Sequence, residues 1–439
     1  MTRQRKIQLL LWSYFWLLIF EGALRKWIIP GLSDSLLLAR DPICIAAIVL
    51  GWPYLMHGIN QICIVTLYSI AGLAMVLAML VGHKDWFTAL FGARIIILHF
   101  PLIFLFGAVF TIDDVWKFAK ALLLLSIPMT VLIAFQFSLP QEHIINVAPG
   151  GEGSAGFPGA LDKFRPPGTF SFISGVSNFY GLTAAVFAAW VTSGPKPVPK
   201  WIWLSAGTLI FALPLSISRT LLFSYSLVLA LAVFACLLAG KAIKNFFLAF
   251  AIVSVSAIIL AETPLFSEAS QAFLARWEDA TEFEGVHRGV VGVLDERVGG
   301  AFRDGLVIAN ESPLFGRGIG MGTNVGAMRL SGAVDFLISE TEWGLIMGEL
   351  GVFLGTLYIL FRVFLAVYLL YLGFKNSIKW NTLPLILSAF VLPALLIGQT
   401  SQSTNLGFII FSAGLMFAAC RHHLKLEGEE YQEVDFAKL

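Results

Sequence analysis

The feature that most constrains this chain is the recurrence of apolar runs about 20 residues long, the length a helix needs to cross roughly 30 Å of hydrocarbon. They fall near 7–28, 36–56, 61–81, 88–110, 119–138, 171–192, 201–217, 220–239, 245–262, 340–372, 382–398 and 405–420. A helix bonds every backbone N–H and C=O within itself, and inside a bilayer nothing else will bond them. The spacing therefore predicts an all-α polytopic membrane protein with about 12 transmembrane helices. Composition agrees: 58% of the 439 residues are hydrophobic and only 13% are Asp, Glu, Lys or Arg, against roughly 25% charged in a soluble domain. Soluble, disordered and nucleic-acid-binding classes are excluded. Cys44, Cys63, Cys236 and Cys420 lie in or at the ends of apolar runs without metal-ligand spacing and read as packing residues. A basic flank, Arg3-Gln4-Arg5-Lys6, precedes the first run, but Glu21, Arg25 and Lys26 stand where a cleavage site would need small residues. That run reads as an uncleaved first helix, with Glu21 and Arg25 paired four apart on one face.

The charges set the orientation. Numbered inside to outside from the amino terminus, the cytoplasmic segments hold eleven Lys and three Arg, and the outer segments ten Arg and three Lys. The bias places both termini in the cytoplasm and two longer segments, 139–170 and 263–339, outside. The chain then divides into helices one to nine (1–262), a large outer loop (263–339), helices ten to twelve (340–420) and a cytoplasmic tail (421–439). The outer loop has six Arg and no Lys. Either base would set topology, but a planar guanidinium grips phosphate or carboxylate in two places at once. An anionic ligand at the outer face is one reading; ion pairs with the loop's own acids are the other.

Within that loop, residues 300–310 read as a short amphipathic helix across the mouth of the bundle. The glycine-rich run Gly316-Arg317-Gly318-Ile319-Gly320 is weak as a nucleotide site, because no strand precedes it. The tenth run opens with Glu340-Thr341-Glu342 and carries Glu349 two to three turns inside, where an ionisable group is functional or paired. Arg362 and Arg94 are the candidate counterions for Glu349. Gly344, Gly348, Gly351 and Gly355, four or three apart, permit close helix packing.

Four blocks together resemble the O-antigen polymerase and O-antigen ligase superfamily of bacterial inner-membrane proteins. They are Arg165-Pro166-Pro167-Gly168-Thr169-Phe170, Ser216-Ile217-Ser218-Arg219-Thr220-Leu221-Leu222, Ser312-Pro313-Leu314-Phe315-Gly316-Arg317-Gly318-Ile319-Gly320, and Glu340 to Gly351. The likeness covers roughly 160–372; the first 150 residues carry no assigned motif. It implies a glycosyltransferase-type polymerase or ligase without metal or other cofactor, acting at the periplasmic face of the inner membrane. Its donor would be an undecaprenyl-diphosphate-linked glycan and its acceptor a glycan or lipid, with a chain-length regulator and a flippase as candidate pathway partners. Arg219, Arg165, Arg288 and Arg303 would hold the diphosphate, with Arg219, alone at the lip of a span, the first choice. Glu340 or Glu342 would take the acceptor proton. Ligases of the family usually have histidine and asparagine where this chain has Glu340-Thr341, and Pro-Asn where it has Ser171-Phe172. That departure favours polymerisation over ligation. A carrier with a central polar path is the rival from another class, and a secretion scaffold is the third.

Overall fold

The structure, a computed structural model, describes residues 1–151, 153, 157–240, 262–283, 292, 295, 299–332, 337–378 and 381–426. It is built from α-helices: α1 (Arg3–Ala23), α2 (Ser33–Leu36), α3 (Asp41–Leu55), α4 (Gly58–Leu80), α5 (Trp86–Arg94), α6 (Pro101–Val109), α7 (Ile112–Ser138), α8 (Ser174–Ser193), α9 (Trp201–Leu215) and α10 (Arg219–Leu238). There follow α11 (Pro264–Phe283), α12 (Gly300–Glu311), α13 (Asn324–Ser331), α14 (Glu342–Ile378), α15 (Leu383–Ile397) and α16 (Ser403–Leu426). A two-stranded ribbon, β1 (Phe157–Pro158) against β2 (Phe164–Arg165), interrupts them. Helices occupy the positions expected for runs one to eight and ten to twelve. The ninth, 245–262, lies outside the described residues. Among the described residues eight helical stretches are long and apolar enough to cross a membrane, while α9 and α15 are shorter apolar helices.

Burial separates the helices that form the centre from those that face outward. Helices α8, α15 and α16 are buried along most of their length and pack on one another, and α6 packs along α16. Small residues make this possible: α8 runs Gly181-Leu182-Thr183-Ala184-Ala185 through the middle, and Gly414 of α16 seats the ring of Phe106. The outward faces carry exposed Ile62, Val65 and Val76 on α4 and Phe353, Leu357, Leu360, Phe364 and Val367 on α14. Apolar groups exposed in continuous rows suit lipid contact. All four cysteines are buried and unlinked, consistent with the packing role read from their setting.

The tenth apolar run is not one straight helix. Arg362 bonds Glu342 directly, although the two are twenty residues apart, which in a straight α-helix would separate them by about 30 Å. The chain folds back at Gly351, the one residue in α14 with non-helical angles (φ 72°, ψ −179°). A first arm, 342–350, therefore lies antiparallel against the start of a second arm, 352–378. A Cβ added at Gly355 would sit 3.1 Å from the Met347 sulfur, which puts residues flanking Gly351 symmetrically side by side. The glycines do permit close packing as expected: Gly355 against the first arm, Gly344 and Gly348 against Asp304, Ile308, Ile338 and Ser339, and Gly351 against the Leu314–Gly316 backbone.

The break leaves carbonyls of the first arm without helical partners, and the glycine-rich run supplies them. Arg317 N–H donates to Gly348 O (2.8 Å) and Gly318 N–H to Glu349 O (3.0 Å). Gly316, Gly318 and Gly320 all take positive φ, and a Cβ at Gly320 would overlap the Thr88 carbonyl of α5. These glycines thus let backbone approach backbone between α14 and α5. The Glu349 side chain accepts from Gly322 N–H (2.7 Å), so its partner is a main-chain amide and neither Arg94 nor Arg362. Helix α12 runs beside the first arm, with Gly305 against Trp343 and Ile308 against Gly348. The loop is thereby built onto the bundle along this side.

Candidate functional site

Two buried ion-pair systems frame the site. In the first, Glu342 (1% exposed) meets Arg362 (2% exposed). The carboxylate also accepts from Thr400 N–H (3.0 Å) and Thr400 Oγ1 (2.7 Å). The guanidinium donates onward to Leu395 O (2.7 Å) and Gly398 O (3.0 Å), the free carbonyls at the end of α15. One ion pair thus fixes the start of α14 and the turn between α15 and α16. Buried charges persist where each is paired and further hydrogen-bonded, as both are here.

The second system lies in the segment where no motif was assigned. Arg40 (1% exposed) donates to Glu21 Oε2 (2.9 Å) and, through Nη2, to Ser403 O (2.6 Å) at the start of α16. Arg25 lies 3.9 Å from Glu21, as the four-residue spacing predicts, and also reaches Ser171 Oγ (2.9 Å). Lys26 donates to Gly168 O (2.6 Å), and Thr169 Oγ1 donates to Ile19 O (2.6 Å). Gly22 makes room, since a Cβ there would meet the Phe170–Ser171 backbone at 2.5 Å. The first helix therefore clamps the 168–171 turn. A π-helical turn, Leu24–Ile28, carries Arg25 and Lys26; a second, Ile95–His99, ends on His99. His99 bridges Tyr14 (3.1 Å) and Asp41 (3.2 Å), and Asp41 pairs with Arg94 (2.8 Å). Widened turns of this kind re-aim side chains and recur at functional sites. Replacing Arg40 with lysine keeps the charge but cannot span Glu21 and Ser403 with one planar fork. The expected loss is about 1–3 kcal/mol, checked as a lowered midpoint of thermal unfolding in detergent.

Between these supports a set of uncharged polar side chains comes together. Gln399 Nε2 donates to Glu340 O (2.5 Å), Gln402 Nε2 to Gln399 Oε1 (2.6 Å), Asn405 Nδ2 to Gln402 Oε1 (3.0 Å) and Asn178 Nδ2 to Asn405 Oδ1 (2.8 Å). Ser174 Oγ reaches Gln402 Oε1 (3.4 Å), and Ser177 Oγ bonds Ser218 Oγ (2.8 Å), the residue that caps α10. Four helices consequently begin around one polar cleft: α8 at Ser174, α10 at Arg219, α14 at Glu342 and α16 at Ser403. Helix starts carry unpaired N–H groups and a partial positive charge. Arg362 is eleven residues past the Gly351 turn, about 16 Å along the second arm. The exposed apolar row beginning at Phe353 continues past that level, so the cleft is recessed within the apolar belt.

The expected site residues fare differently. Arg219 opens α10 and is buried (7% exposed) and partnered, so it does not stand alone at the lip. Arg165 lies in β2, three residues before the clamped turn. Glu340 is exposed, whereas Glu342 is consumed by Arg362 and Thr400. Arg303 is exposed and pairs with Asp295 (3.1 Å), the structural role weighed against ligand binding. Arg288 lies outside the described residues. Outside the blocks, Lys163 pairs with Glu268 (2.6 Å) and Arg329 with Asp85 (2.8 Å). The Arg329 guanidinium, helped by the Thr88 N–H, holds the Asp85 carboxyl well below the usual carboxylate range. The pair therefore stays charged until strongly acidic pH.

The run 399–405 was not singled out from the sequence, nor were Arg40 and Lys26 given a role. Seven consecutive hydrogen-bonding residues between two apolar stretches were the available signal. Among the described residues no group of His, Cys, Asp and Glu is arranged to hold a metal ion. Comparison with protein-family models finds none that matches the chain, and no curated protein matches it.

Proposed function

We propose that the chain joins undecaprenyl-diphosphate-linked oligosaccharide units at the periplasmic face of a bacterial inner membrane, as a polymerase of O-antigen or exopolysaccharide. The observation that carries this reading is the meeting of four helix starts, one of them bearing Arg219, around a recessed polar cleft. Diphosphate is a dense anion, and helix starts with a guanidinium suit it. In the reaction the acceptor hydroxyl oxygen bonds the donor's anomeric carbon as the carbon–oxygen bond to diphosphate breaks. The bonding pair leaves on the diphosphate, where Arg219 and the helix starts offset the developing charge. The acceptor proton passes to Glu340, the exposed carboxylate at the cleft. Glu342 is a positioning residue that holds the 398–402 turn. Arg165 is a second cation for the diphosphate. Transfer to a lipid acceptor is the ligase form of the same chemistry.

One observation favours the carrier reading instead: the folded-back α14, since transporters build midplane sites from interrupted helices. Proteoliposomes given a lipid-linked oligosaccharide separate the two. Lengthened glycan on the lipid supports transfer; movement of unchanged lipid across the bilayer supports the carrier. Under the transfer reading Arg219→Lys abolishes lengthening, and Glu340→Gln lowers it by about 10²–10⁴-fold, while both variants remain in the membrane. Full activity in either variant sinks the role assigned to it.

A further inference from the structure

We infer that residues 399–405 together with Asn178 form a binding subsite for an uncharged sugar ring, distinct from the diphosphate position proposed at Arg219. The inference rests on the proposed glycan chemistry for its ligand class, but its argument is the wall's own hydrogen-bonding inventory. Gln399, Ser401, Gln402, Thr404, Asn405 and Asn178 are all partly exposed. Each amide nitrogen gives one N–H to a neighbour and has a second to give. Asn178 Oδ1 and the hydroxyls of Ser401 and Thr404 have no hydrogen-bond partner among the described residues.

Such a surface mixes spare donors with spare acceptors. A sugar hydroxyl is both donor and acceptor, so it can use both kinds. A phosphate or carboxylate is acceptor-only and would leave Asn178 Oδ1 facing a like partner. Charge points the same way. Arg40 and Arg362, which donate to Ser403 and Gly398 at either side of this wall, are each paired with a buried carboxylate, Glu21 and Glu342. The exposed Glu340, whose main-chain carbonyl is held by Gln399, disfavours a second carboxylate. The wall is recessed within the apolar belt, where uncompensated polar groups are costly and an occupant that bonds them is stabilising.

The test uses the full chain in lipid nanodiscs and an array of bacterial glycans lacking lipid and diphosphate, in uncharged and uronate-containing forms. The expected result is retention of uncharged glycans over uronate-containing ones. Asn178→Leu and Gln402→Met should each weaken retention at least tenfold, and Ser401→Ala, which breaks no internal bond, about threefold. Retention of no glycan, equal retention of both forms, or native retention by all three variants overturns the subsite. Where a leucine or methionine variant fails to elute as a single species, the Ser401→Ala comparison decides. If retention follows the expected pattern but lipid-linked oligosaccharide is never lengthened, the subsite stands and the transferase reading falls.

Discussion

Alanine at Gly351 is expected to leave little or no folded protein. The residue's angles, φ 72° and ψ −179°, lie in a region essentially reserved for glycine, and another residue there carries about 1–3 kcal/mol of strain. A Cβ would also overlap Gly316 N and Leu314 O and lie 2.6 Å from the Phe315 carbonyl carbon. Those atoms are backbone, so nothing can swing aside. Relieving the overlap means opening the hairpin, which separates Glu342 from Arg362 and strips the capping amides from Gly348 and Glu349. The combined loss exceeds about 4 kcal/mol, the range reserved for a few disruptive mechanisms. Gly72, with nothing within 4 Å of an added Cβ, is the control. Size-exclusion profiles after mild heating should show Gly72→Ala native and Gly351→Ala aggregated; a native Gly351→Ala would refute the hairpin.

The second large effect concerns the pair inside that hairpin. Arg362→Met removes the counterion of a carboxylate that is 1% exposed and should cost about 3–5 kcal/mol. The double variant Glu342→Gln with Arg362→Met leaves no isolated charge. It should recover more than half of that loss, the remainder reflecting the carbonyls of Leu395 and Gly398 that the guanidinium bonds. A thermal-unfolding double-mutant cycle measures this coupling. Additive losses would mean that the two side chains act independently, contrary to their contact.

Helix positions were legible in the sequence because a bilayer imposes a length and an apolarity that few other environments demand. The fold-back at Gly351 was not, because a glycine every three or four residues reads equally well as a packing stripe. Arg362 is a candidate for Glu349 by charge alone, since a straight helix would hold them about 20 Å apart; the true partner, Glu342, is adjacent only after the chain turns. At the cleft, Arg219, Glu340 and Glu342 were legible as charges at span ends. Gln399, Gln402 and Asn405 passed unnoticed because sorting residues by charge is blind to amides. Arg329 shows the converse limit. Asp85 lies 244 positions from Arg329, and no spacing rule connects residues that far apart.

Arg40 waits longest for its partner. Its hydrogen bond to Ser403 spans 363 positions, so the cleft cannot close until α16 has been made. At about 5–20 residues per second that interval is roughly 20–70 s, during which Arg40 has Glu21 but not Ser403. A chain cut short before α16 would leave Arg40 without its Ser403 acceptor and keep that polar surface unfinished.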